Sequence, residues 1–169
     1  MEIWDVTDQF GNIIGQCARG TELAPGTYHG IADIWVMNSE GKLLVTQRDK
    51  NKSYPLFWEN TAGSLLQGET FTAGAVRELK EETGLNTKEE ELLLLERRRE
   101  RRSIWESFFT TTKEEETAIC LQAGETVDYR WVTVEELDKM MNRGELASPV
   151  IYRYMRVRSA LLQAMKTAR

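Results

Sequence analysis

Residues Gly63 to Leu85 read GSLLQGETFTAGAVRELKEETGL, and the segment carries the marks of one helix with a defined start and stop. Thr70, after Gly68 and Glu69, has the short hydroxyl side chain that caps a helix N-terminus. Gly84 supplies the left-handed residue that ends one. At about 100° per residue, Glu78, Glu81 and Glu82 fall on one face, while Thr72, Ala75, Val76, Leu79 and Thr83 fill an adjoining arc. Three carboxylates on one helical face repel one another unless a cation sits among them. Arg77 offers part of that relief. A hard divalent cation offers more, because oxygen-only ligands are what Mg²⁺ and Mn²⁺ select.

The segment just upstream, Trp58-Glu59-Asn60-Thr61-Ala62, reads as a strand running directly into Gly63. The acidic helix therefore stands in a strand–loop–helix context. Within it Glu69 follows Gly63 after five residues, and Arg77-Glu78-Leu79-Lys80-Glu81-Glu82-Thr83-Gly84-Leu85 follows after seven more. This spacing resembles, at every fixed position, the signature box of the Nudix hydrolase family. The resemblance implies a mixed sheet between helices, an α/β/α sandwich. It also implies metal-dependent hydrolysis of a diphosphate bond, usually in a nucleoside diphosphate linked to another group.

The rest of the chain fits one α/β unit, taken as a single domain over 1–169. Its 169 residues suffice for a substantial core, and 41% hydrophobic with 29% charged residues is an ordinary globular balance. A net charge of −5 argues against general nucleic-acid binding. No apolar run approaches the ~20 residues of a membrane span, and MEIWDVTDQF lacks the pattern of a signal peptide. Cys17 and Cys120 stand far apart and His29 is the sole histidine, which argues against zinc and for two free thiols. A cytoplasmic protein is the expectation.

Along the chain, residues 3–7 and IIGQCA (13–18) read as strands around a DQFGN turn. Residues 31–37 and 42–48 form a hairpin about Asn38-Ser39-Glu40-Gly41. Strands are expected at 91–96, 104–112, 118–121 and 127–132, with a polar loop over 113–116. The RRRERR run at 97–102 reads as a solvated turn. Thr133 and Glu136 form a capping box for a helix ending at Gly144. Ser148-Pro149 opens a last helix, whose Val150, Tyr154, Val157, Leu161 and Leu162 recur at helical spacing and read as core.

From the family pattern, Glu81 and Glu82 are expected to ligate Mg²⁺ or Mn²⁺, with the Gly63 carbonyl as a further ligand. Glu78 either joins them or orients and deprotonates water. Arg77 is expected to hold Glu69 and Glu78 through a bidentate pair. A base or last ligand from outside the box is expected at Glu125, with Glu106 as second candidate. Arg48 and Lys52 are placed to meet phosphates, and Trp58, with Trp35, Tyr54 and Phe57, to stack on a base or prenyl group. The expected partner is a small diphosphate; dimerisation is frequent in the family, so a homodimer is an expectation too. The N-terminal WDV strand, Arg19 and Pro25–His29 resemble isopentenyl-diphosphate isomerase relatives. That isomerase needs a reactive cysteine before the box and several histidines, where this chain has Asn60-Thr61-Ala62-Gly63-Ser64 and His29. A catalytically silent nucleotide-sensing module is the other alternative. Such modules usually lose box glutamates, and this chain keeps them.

Overall fold

In the computed structural model, which describes residues 2–113 and 119–168, the fold is built on the strand β3 (His29–Met37). One edge of β3 pairs in parallel with β8 (Ser103–Thr111), and its other edge pairs antiparallel with β6 (Thr61–Ser64). Beyond β8 lies β7 (Leu93–Glu100), antiparallel to it. On the other side β4 (Leu43–Arg48) pairs with β3 at Met37 and Leu43. It then pairs with β5 (Trp58–Glu59) and β9 (Thr126–Val132). The two central strands thus diverge, and the β5–β6 segment fills the fork. A separate hairpin, β1 (Ile3–Thr7) with β2 (Ile13–Ala18), joins through a bridge between Thr7 and Tyr28.

Alternation along β3 assigns the two faces of the sheet. Ala32, Ile34 and Val36 pack with Ala75, Leu79 and Leu85 around α1 (Phe71–Thr83). Trp35 and Met37 pack on the opposite face with Leu137 of α2 (Val134–Asn142) and with Tyr154, Val157 and Leu161 of α3 (Ser148–Thr167). Helices therefore cover both faces of a mixed sheet, the sandwich expected. Each buried aliphatic or aromatic side chain contributes about 1.5–3 kcal/mol. The α2 capping box closes as read, Thr133 and Glu136 each accepting from the other's backbone N–H.

Three local expectations are corrected. The strand over 58–62 breaks at Asn60, whose amide donates to Asp33 Oδ1 (3.1 Å) and to the Ile34 carbonyl (3.4 Å). Ile119–Leu121 form no strand, and Ala118, like 114–116 of the expected loop, lies outside the described residues. The arginine run is largely not a turn: Arg97–Glu100 lie in β7, and Arg98 is buried between Glu96 and Glu100. Charges of opposite sign at i and i+2 share one face of a strand, so ERR-RE neutralises itself there.

Candidate active site

The acidic segment is placed by its caps and by one glycine. Thr70 takes an extended conformation and its hydroxyl accepts from Ala73 N at 3.0 Å. Gly84 has φ 78° and donates to the Lys80 carbonyl, ending α1 where the sequence marks the stop. Gly63 sits on β6 under Glu78. A Cβ built there would fall 1.9 Å from the Glu78 carboxyl carbon, so any other residue would push that carboxylate off the strand.

Arg77 organises the N-terminal half of the site. Its Nε and Nη2 donate to the two oxygens of Glu69 (2.7 and 3.0 Å), and Nη2 also reaches the Ser64 carbonyl (3.0 Å). Nη1 donates to both Glu78 (2.8 Å) and Glu81 (2.9 Å). The bidentate pair with Glu69 locks the loop after β6 to α1. The Arg77 hydrogen bond, offsetting partial burial, holds the Glu69 carboxyl below its usual range.

The three glutamates of the helix then differ sharply. Glu81 is nearly half exposed at its side chain and Glu78 only 16%. Glu82 is 4% exposed, and its Oε2 is buried without a hydrogen-bond partner. Burial, then the charge of Glu59, pushes the Glu82 pKa up to about 8, opposed by Lys52. Burial also raises Glu78, against the pull of Arg77. A buried carboxylate without a partner is costly. Here it sits among others of like sign.

Glu59 is the residue that the sequence reading missed. It is 5% exposed on β5, opposite Thr46, and pairs with Arg48 Nη1 at 2.5 Å. The available signal was a glutamate inside a strand otherwise destined for burial. Glu125 arrives on a loop docked to the end of α1: Cys120 N donates to the Thr83 carbonyl, and Gln122 N and Thr126 Oγ1 donate to that of Glu82. Its carboxylate pairs with Lys52 and is among the charges acting on Glu82. Glu106, on β8, instead pairs with Arg97 of β7 (3.0 Å). Of the two outside candidates, Glu125 is the one brought beside Glu82.

The proposed substrate contacts fare less well. Trp58 is 4% exposed within the core, with the Arg130 guanidinium 4.3 Å from its ring centroid. Its face is therefore covered, as is that of the fully buried Trp35. Arg48 pairs with Glu59 and donates to the Ser53 carbonyl and hydroxyl. Tyr54 and Phe57 do remain exposed.

The donors suit a hard divalent cation: carboxylates, one orphaned carboxylate oxygen, and six acidic side chains (Glu59, Glu69, Glu78, Glu81, Glu82, Glu125) against Arg48, Lys52 and Arg77. Among the described residues, no three acidic, His or Cys side chains already converge on one point. Glu78 and Glu81 lie on Arg77 instead; to hold an ion together with Glu82 they would have to turn from it.

Comparison with known proteins places this geometry. The NUDIX domain profile matches residues 27–154. The chain belongs to the Nudix family. A Nudix hydrolase of Listeria monocytogenes is 33% identical over 148 residues, 86% of this chain and 88% of that one. Another, from Listeria innocua, is 32% identical over the same shares. Among solved structures, DR0079 from Deinococcus radiodurans superposes with a TM-score of 0.75 at 19% identity, over 92% of this chain and 99% of that one. The NUDIX domain of Shewanella oneidensis NrtR, solved with ADP ribose, gives 0.62 at 18% identity, over 79% and 88%. At these identities the structural matches establish the Nudix fold, and the sequence matches establish a Nudix hydrolase.

Proposed function

We propose that this Nudix hydrolase cleaves a diphosphate bond in a nucleoside diphosphate linked to a second group, with Mg²⁺ or Mn²⁺ bound. The observation that supports this reading most is Glu82: a buried carboxylate with an unpartnered oxygen, crowded by Glu59, Glu78 and Glu125. Glu81, Glu82 and the Gly63 carbonyl would hold the ion, with Glu78 as a further ligand or as the group that orients water. When bound, the ion neutralises diphosphate charge and lowers the pKa of bound water. Arg77 ties the loop at Glu69 and, with no ion bound, holds Glu78 over Gly63. Glu125 accepts a proton from the attacking water as its oxygen bonds to one phosphorus and the bridging oxygen departs with the other. Lys52, released from Glu125, is the cation left to meet the departing phosphate.

The test measures AMP and ribose 5-phosphate released from ADP-ribose, the molecule bound by the NrtR domain, as first probe. Turnover should require Mg²⁺ or Mn²⁺ and stop in excess chelator. Full turnover with EDTA present would overturn the metal-site reading. Tight nucleotide binding without product release would instead favour a sensing module.

A further inference from the structure

We propose that Tyr54, Leu56 and Phe57 form an apolar platform that takes the nucleobase of the substrate by stacking, without reading its hydrogen-bonding edge. This inference rests on the diphosphate-hydrolase reading above and assigns a subsite to it. The loop that carries these residues joins β4 to β5. It is fastened by the Arg48 side chain, which donates to the Ser53 carbonyl (2.6 Å) and hydroxyl (3.0 Å), and by Gln47 Nε2 on the Leu56 carbonyl (2.9 Å). Arg48 also holds Glu59, and Lys52 of the same loop pairs with Glu125. The platform is therefore continuous with the charged groups around Glu82.

Its backbone is held at a cost. Tyr54 has φ 53° and Leu56 φ 62°, two of the three non-glycine residues with positive φ among the described residues. Bulky side chains adopt this region rarely, and Gly or Asn would adopt it with little strain. Core packing does not account for the choice: Tyr54 is 42% exposed, Leu56 52% and Phe57 36%. Strain of this kind is a pointer to function when the side chains it displays face solvent beside a reactive site. The two rings stand edge to face, 6.3 Å apart at 78°, and present an aromatic corner flanked by leucine. Two polar side chains beside it are spent: Ser53 on Arg48, and the Gln47 amide on the loop backbone. Such a surface offers a base its π-face contact and little edge recognition, so adenine, guanine and uracil should be accepted alike.

Leu56→Gly and Tyr54→Asn test this, because both relieve the backbone while removing the platform. Steady-state rates would be measured with ADP-ribose, GDP-mannose, UDP-glucose and geranyl diphosphate, alongside thermal melts. In the wild type, kcat/KM for the three nucleotides should agree within about tenfold. Tyr54→Asn should raise KM for all three by about tenfold, the order of one lost stacking contact, and Leu56→Gly should raise it by less, through lost apolar contact, with kcat within about threefold in both. Melting temperatures should hold or rise, which a merely structural role would not give. An unchanged KM, a base preference beyond about a hundredfold, or geranyl diphosphate as the better substrate would each overturn the platform alone. A wild type that cleaves none of the four overturns the hydrolase reading and this one with it.

Discussion

Both faces of the sheet bury charge, but only one balances it. On the α3 face, Asp33 is fully buried and receives hydrogen bonds from Ser107 (2.7 Å) and Asn60 (3.1 Å). Arg153 stands 3.9 Å from its Oδ2, a charge contact rather than a hydrogen bond. Arg153 and Arg98 lie 4.7 and 5.2 Å from the Trp105 ring centroid, with Arg98 also paired to Glu96 and Glu100. Each charge there has a counter-charge, although Arg153 Nε and Arg98 Nη2 are buried without a hydrogen-bond partner. On the α1 face, Glu82 has none in contact and several of its own sign nearby. The same element, a carboxylate buried under a helix, fits a structural role where it is neutralised and the proposed reactive role where it is left over. The contrast implies that damage to the α3 face should cost stability and spare turnover, and that damage to the α1 face should do the reverse.

The largest effect is expected on the balanced side. Arg153→Met removes the nearest counter-charge of Asp33 and should destabilise the fold by about 3 kcal/mol, while kcat of the folded fraction stays within a few-fold. Denaturant unfolding together with active-site-normalised rates checks both halves. Loss of turnover without loss of stability would erase the distinction between the faces.

Next in size is Glu82→Gln, which keeps shape and removes charge. Turnover should fall by about a hundredfold or more, roughly 2.7 kcal/mol of transition-state stabilisation. Stability in chelator should hold or improve, since folding no longer has to protonate a carboxyl whose pKa burial raises to about 8. Mg²⁺ should raise the melting temperature of the wild type by mass action and that of the variant much less. A variant that melts and turns over like wild type would show α1 to be an ordinary solvated helix.

How much of this was legible depended on whether a residue's neighbours lay nearby in sequence. The helix was readable end to end, because Thr70, Gly84 and the i, i+3, i+4 glutamates act within a few residues. So were the α2 capping box and, apart from the half-buried Leu162, the α3 stripe. Glu59 was not, since its burial follows from the fork between β3 and β4 and its charge matters only beside Glu82. Arg48 looked free because its partner lies across a strand pair. The arginine run misled through net charge, which hides that Arg98 faces Glu96 and Glu100 on one side of β7. Trp58 looked like a ligand contact because its cover, Arg130, comes from a distant strand.

Glu125 and Glu106 sharpen the contrast within the α1 face. Glu125 belongs to the charges around Glu82, so Glu125→Gln should lower kcat by about tenfold or more as a proton acceptor is lost. Glu106 is held by Arg97 away from that group, and Glu106→Gln should leave kcat within about twofold. Single-turnover rates for the pair decide between them. A reversed order would move the base from the loop at Glu82 to β8.

The smallest effect belongs to Asp138, which joins α2 to α3 on the balanced side. Its carboxylate accepts from Arg158 Nη2 (2.7 Å) and Nε (3.1 Å) and from the Tyr154 hydroxyl (2.8 Å). The Arg158 hydrogen bond, then that of Tyr154, hold its pKa below the usual range against partial burial. A carboxyl that ionises more readily folded than unfolded adds stability above its unfolded pKa, about 3.9. That contribution is lost as pH falls through the lower folded value. Asp138→Asn can still accept from Tyr154 but forfeits the charge, so at neutral pH it should cost only about 0.5–1 kcal/mol, as for a screened, partly exposed pair. The two stability curves should converge as pH drops below about 4, while turnover at neutral pH stays unchanged because Asp138 lies on the far face from Glu82. Melts of both proteins across that range make the measurement. A gap that stays constant down to the acid limb would mean that shape, not charge, is what Asp138 contributes.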